Sequence, residues 1–208
     1  TFANVGDLSS STVSCIGITS AGVTCMTASP TNQMNGDIES VKIYKYPRTT
    51  QQIIEDLNGG HPAGGSPLGT QIIKWGFDEG QGTTAFNTVD ANTDGTLTNM
   101  ASPATSTSGW TASGKIDRAL VFDGSDDKVV IATANDANVD FNGSEPFSLC
   151  SWIYPTTMAG SGQYDAIIGK YDETSTLRGY MFSLTNDDGD TTGNLDFTVY
   201  DESANQAL

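Results

Sequence analysis

Six residues, Asp90-Ala-Asn-Thr-Asp-Gly95, carry the spacing of half a calcium loop. A D-x-N-x-D-G run sets side-chain oxygens at alternate positions around a glycine turn, as an EF-hand does when it begins to wrap a hard cation. The last position of such a loop must be a bidentate glutamate; here it is Ala101, and no flanking helices are predicted. The run is not an EF-hand, although an oxygen-rich turn can hold calcium when other loops complete the shell. Short polar side chains also favour turns for a reason of their own, since they bond to nearby backbone. Asn186-Asp-Asp-Gly-Asp190 is denser in acid, but its glycine is misplaced for that loop and it reads as a polar hairpin tip. Asp123, Asp126 and Asp127 read likewise as turn residues between apolar strands.

Glycoside hydrolysis needs two carboxylates facing a cleft, roughly 5–10 Å apart. Asp78-Glu79 and Asp172-Glu173 are adjacent pairs, and adjacent residues on an extended chain point to opposite faces. A Ser/His/Asp set needs a histidine. The single one, His61, lies in a Gly/Pro stretch and reads as an exposed loop residue, and no Cys-x-x-Cys pair suggests zinc. An enzyme is not expected. Sugar binding without catalysis needs an exposed aromatic platform with polar neighbours. Trp110, in a stretch rich in Ser and Thr, is the candidate ligand-binding residue, while Trp75 and Trp152 sit within strand patterns and are assigned to the core. Asn142-Gly-Ser is a formal glycosylation sequon.

The elements that must position these residues are mostly short strands. Val41 and Ile43 alternate with Lys42 and Tyr44, the pattern of a half-buried strand that Pro47 then ends. Thr49 and Gln52 have capping-box spacing, Ile53, Ile54 and Leu57 form an apolar stripe, and Gly59 offers a stop, so one short helix is predicted near 49–57. Q-I-I-K-W-G-F places Ile73, Trp75 and Phe77 on one face of a strand, and the Ser/Thr/Ala/Gly run at 100–113 reads as a loop. A-L-V-F, K-V-V-I-A, F-S-L-C-S-W-I-Y, A-I-I-G-K-Y, G-Y-M-F-S-L and L-D-F-T-V-Y follow as strands separated by polar turns. Such a series predicts an all-β sandwich or barrel.

Bulk composition narrows the functions. With 25 acidic against 9 basic residues the 208-residue chain carries a net charge of −16, which repels phosphate backbones and anionic membranes. Nucleic acid is therefore excluded as a partner, and no apolar run approaches the ~20 residues of a membrane helix. Cys15 and Cys25 flank an apolar segment able to fold back as a hairpin, so a disulfide between them is an option in an exported protein, while Cys150 lies in an apolar run as a small hydrophobe. The chain begins at Thr1 without an initiator Met, as a processed or excised fragment would.

Asn58 to Gly69 runs N-G-G-H-P-A-G-G-S-P-L-G, a linker composition. Beyond it, Trp75-Gly-Phe-Asp-Glu-Gly-Gln-Gly-Thr-Thr-Ala, Asp94-Gly-Thr-Leu, Gly114-Lys-Ile-Asp-Arg-Ala-Leu-Val-Phe-Asp-Gly-Ser-Asp-Asp-Lys-Val and Pro146-Phe-Ser-Leu-Cys-Ser-Trp-Ile-Tyr-Pro follow in order. These blocks resemble the opening of a laminin-G-like, concanavalin-A-type jelly-roll module. Before the linker, Asn35-Gly-Asp-Ile-Glu-Ser-Val-Lys-Ile-Tyr and the Thr-Gln-Gln-Ile helix resemble the closing strand and terminal helix of the same family. The resemblance divides the chain into 1–57, the closing part of one module, a linker at 58–69, and 70–208, the N-terminal portion of another; the family's Trp-His-His-type strand and Val-Asp-Gly hairpin are absent.

The resemblance implies an antiparallel β-sandwich of jelly-roll type and a structural calcium ion at its rim, with Asp78, Asp90, Asp94 and, from the closing strand, Asp37 as ligands. It also admits glucanases, which set their carboxylates on one strand in an E-x-D-x-x-E pattern that does not occur here. Residues 1–57 alone bury too little surface to be stable, and 70–208 alone leave open strand edges. The front piece is therefore expected to complete the back piece, in the same chain or on a neighbouring copy, and a dozen linker residues reach up to ~40 Å. The expected function is extracellular binding or adhesion toward a glycan or protein ligand, as one segment of a multi-module surface protein. The alternative is a subunit of an extracellular filament or surface array built by strand complementation, and a weaker one is the ancillary domain of a carbohydrate-active enzyme.

Overall fold

The computed structural model describes residues 14–18, 20–21, 24–25, 33–57, 71–132, 135, 137–141, 145–158, 160, 163–172, 178–186, 193–201 and 206–207. The stretch at 58–69 with His61, the sequon at Asn142, Glu173 and the acids of 187–190 lie outside them, as do the side chains of Cys25 and Leu57.

Two antiparallel sheets packed together form a β-sandwich with one helix. The larger sheet has eight strands in the order β15 (Gln206–Ala207), β14 (Asn194–Asp201), β13 (Arg178–Thr185), β12 (Tyr164–Asp172), β1 (Ser14–Ile16), β10 (Lys128–Ile131), β7 (Gly95–Thr98) and β6 (Thr84–Ala85). The smaller runs β11 (Ser148–Pro155), β4 (Asn35–Tyr44), β9 (Ala119–Asp123), β8 (Gly109–Thr111), with β5 (Gln71–Trp75) also on β4. A two-stranded ribbon joins β2 (Ser20–Ala21) to β3 (Thr24–Cys25).

The front piece is built into both sheets of its own chain. β1 lies between β10 and β12. β4 pairs with β11 along one side, while its other side is shared by β9 at Asn35–Ile38 and by β5 at Val41–Tyr44. Residues 14–57 thus supply an inner strand to each layer, so the two segments form one sandwich. Ile38, Val41 and Ile43 of β4 join Ile73, Trp75 and Phe77 in the shared core. Each such side chain contributes about 1.5–3 kcal/mol through burial.

The spacing Ile38–Val41 is three rather than two because β4 bulges opposite Cys150–Trp152, where Ser40 takes φ 51°. One extra residue restores the phase of the strand. It puts Ile38, Val41 and Ile43 inward and leaves Asp37, Glu39, Lys42 and Tyr44 on the opposite face.

Helix α1 (Thr50–Leu57) is capped as its sequence predicts: Thr49 N–H donates to Gln52 Oε1 at 2.9 Å, and Gln52 N–H to Thr49 Oγ1 at 3.3 Å. The two isoleucines of its predicted apolar stripe do not face inward. Ile53 and Ile54 are 46 % and 44 % exposed, while Gln52 and Glu55 are buried. The reason is the polar strand face beneath it, where Asp56 receives Lys42 Nζ at 3.0 Å and Arg48 Nη2 at 2.6 Å. Tyr44 Oη also donates to Asp56 and accepts from Gln71 Nε2 at 2.8 Å; burial pushes its pKa up to about 12.

Candidate functional site

Beyond the helix, the same outer face of the smaller sheet opens into a groove of about 430 Å³. β11 contributes Trp152 and Tyr154, β4 contributes Asp37 and Glu39, and the turn before β9 contributes Lys115. The register sets Tyr154 opposite Asp37 and Trp152 opposite Glu39. Along β11 the alternation is regular: Leu149 and Ile153 pack against the core, and Trp152 and Tyr154 face outward.

Glu39 is a fixed post. It is 3 % exposed, and its carboxylate accepts the backbone N–H of Lys115 on Oε2 and that of Ile116 on Oε1 at 2.8 Å. Desolvation nevertheless holds its pKa above the ordinary range, these two bonds opposing, with the charges of Asp78 and Asp117 adding to the rise. Asp37 is different: half-buried, raised by desolvation alone, with no hydrogen bond or ion pair on its carboxylate. Tyr154, 69 % exposed, has a free hydroxyl. The Trp152 indole N–H is also unpartnered, whereas Trp75 donates to Thr93 O at 3.3 Å and Trp110 to Gly82 O at 2.9 Å. Lys115 holds its Nζ 5.5 Å from the Trp152 ring centroid and makes no ion pair.

Trp110 is not the exposed platform expected of it. It lies on strand β8 within the run read as a loop, is 9 % exposed, and belongs to the core. Burial follows from pairing with Leu120 on β9, which turns the indole under the sandwich. Trp152, assigned to the core because it sits within a strand pattern, is the aromatic that the groove presents. The signal that finds it is the period of two: with Leu149 and Ile153 inside, Trp152 must be outside.

The four acids that the resemblance assigns to calcium do not converge. Asp90 caps a short 3-10 turn by accepting Asn92 N–H at 3.0 Å, Asp94 accepts Asn87 N–H at 2.8 Å, and Asp78 accepts Arg118 N–H at 3.2 Å, while Asp37 stands in the groove. One oxygen each of Asp78, Asp90 and Asp94 shapes the loops after β5, and the four acids do not bring their ligand atoms together as a group among the described residues. Among the described residues only Asp123, Asp126 and Asp127 bring three possible ligand atoms within 4.8 Å of one another. They do not form a hairpin tip: β9 belongs to one sheet and β10 to the other, so the turn is a corner between layers. Asp123 N–H donates to Asp127 Oδ2 at 3.2 Å, and Ser125 N–H to Asp123 Oδ1 at 2.8 Å. Asp127 is 2 % exposed, and desolvation, with Asp123 and Asp126 nearby, raises its pKa against the lowering contact of Ser108.

Cys15 is disulfide-bonded, and Cys150 is a free thiol whose pKa burial pushes up. Cys150 lines a second cavity of about 280 Å³ with Arg48, Phe147, Phe182 and Phe197. Arg48 binds Tyr46 through Nη1 and Gln52 and Asp56 through Nη2, its buried Nε finding no partner, and Ser148 Oγ donates to Tyr46 O at 2.8 Å.

Fold and groove together define a β-sandwich with an open aromatic and acidic face. Comparison with protein-family models, curated proteins and solved structures returned no match.

Proposed function

We propose that the protein is a non-catalytic extracellular binding module whose ligand, a glycan or a protein, seats in the Trp152–Tyr154 groove. One observation carries the reading. An indole N–H, a phenol and a carboxylate, all without partners in the protein, line a single concavity. Polar groups beside aromatic faces are what a binding site offers before its ligand arrives. Asp37 and Glu39 stand two apart on one strand, as a glycosidase pair would. Both oxygens of Glu39 are held by backbone N–H groups, which supports a part in shaping the groove over one in catalysis. The disulfide at Cys15 supports an oxidising, extracellular setting. The test is an array of glycans and extracellular proteins probed with the wild type and with Trp152→Ala and Tyr154→Ala. Hits that both variants lose support the reading; hits that neither variant changes overturn it.

The second reading, a filament or surface array assembled by strand complementation, is favoured by the placement of β1 and β4 as inner strands. A copy that lends its front piece to a neighbour would form the same pairings between chains. Light scattering across a concentration series decides: polymers support exchange, and a monodisperse monomer overturns it.

A further inference from the structure

We infer that the groove recognises a cationic side chain, an ammonium or guanidinium presented by a basic segment of a partner protein, and that Lys115 occupies its seat in the free molecule. The inference rests on the reading of this groove as the ligand site and adds the chemistry of what binds there.

Lys115 shows what the groove attracts. Its ammonium lies 5.5 Å from the Trp152 ring centroid and is held there by no ion pair. A cation over an indole face is drawn by the negative face of the ring. Displacing Lys115 therefore breaks one ring contact and no salt bridge. The backbone N–H of Lys115 on Glu39 anchors the turn independently of the side chain, so the ammonium can leave while the groove keeps its shape.

The counter-charge is already in place. Asp37 pairs with Tyr154, so Trp152 is its diagonal neighbour on the same face, a separation of ~7–8 Å between residues that lies within reach of one ammonium or guanidinium. Burial holds the carboxyls of Asp37 and Glu39 above their ordinary range, and a cation beside them relieves that cost. At −16 the chain steers cations toward itself and repels anionic ligands. A neutral sugar on Trp152 would also displace Lys115, and would leave the Asp37 charge without an opposite partner.

An internal competitor lowers apparent affinity in proportion to the time it occupies the seat. Removing the Lys115 ammonium must then strengthen binding of an external cation. The experiment is an NMR titration of the full chain that follows the three indole N–H resonances. The probes are a capped Gly-Lys-Gly peptide, tetramethylammonium and, as neutral control, methyl glucoside. The cationic probes are expected to shift the Trp152 resonance and leave Trp75 and Trp110 in place. Lys115→Met is expected to tighten binding by about threefold or more, and Asp37→Asn to weaken it by a similar factor. Lys115 is exposed and Asp37 half-buried, Asp37→Asn keeps the side-chain shape, and Lys115→Met keeps an unbranched apolar stem. No Trp152 shift from either cation, in wild type and in Lys115→Met, overturns the inference. A sugar that shifts Trp152 equally in wild type and Asp37→Asn overturns the cationic ligand while sparing the groove as a site.

Discussion

Arg48 and Asp56 meet at 2.6 Å beneath helix α1, and Lys42 reaches the other oxygen of the same carboxylate at 3.0 Å. All three side chains are nearly covered, at 10 %, 17 % and 11 % exposure, in the order Arg48, Asp56, Lys42. Asp56→Ala therefore strands two cations and the Tyr44 hydroxyl together. Breaking such a buried pair costs about 3 kcal/mol or more. Urea denaturation should show that loss, with a smaller one for Asp56→Asn, which retains an acceptor. A loss near zero for Asp56→Ala would mean that the helix is not fastened through this cluster.

Trp110 and Trp152 should separate stability from binding. Trp110 is in the core with its N–H satisfied, so Trp110→Ala is expected to cost about 3–5 kcal/mol. Trp152 is half-exposed, and Trp152→Ala should cost well under half as much while abolishing ligand capture. Paired melting and array measurements check this, and equal losses of stability would contradict the assigned faces.

Helix and groove were unequally legible in the sequence. The capping box is local, so Thr49 and Gln52 announce it without help from the rest of the chain. The strand faces around Leu149 and Ile153 were harder to read, because in F-S-L-C-S-W-I-Y both alternate sets mix apolar residues with a serine. Trp110 was out of reach for another reason. Its strand has three residues in a stretch of small polar ones, and only pairing with β9, the next strand, makes it one. The bulge at Ser40 likewise depends on β11, which lies over a hundred residues away in sequence.

Stability should fall as pH rises through the range in which three partly buried carboxyls titrate. Asp37, Glu39 and Asp127 all have carboxyls raised above their ordinary range, chiefly by burial. Between the unfolded and the raised folded values the folded chain holds more protons, so protonation favours folding; that gain is lost as pH climbs through the folded values. Urea midpoints measured just above the ordinary carboxylate range should therefore exceed those measured above the raised folded values. Relief of the −16 self-repulsion acts in the same direction. Asp127→Asn separates the two, because it should shrink the difference by far more than one surface Asp→Asn change.

Cutting the backbone between residues 58 and 69 should leave one particle. The pairings of β1 and β4 with the back piece do not depend on covalent continuity. With a protease site placed there, the two fragments should co-elute in size exclusion and separate only in denaturant. Fragments that part in buffer would refute the joint sandwich.

The three indoles also give the molecule an optical readout of its own. Trp75 and Trp110 are shielded and tied to carbonyls, so their emission has little reason to change when the groove fills. Trp152 alone has one face toward solvent and a cation resting over its ring. A ligand that lifts Lys115 away changes the surroundings of that single fluorophore, and occupancy becomes readable as the colour and intensity of intrinsic light, without a label.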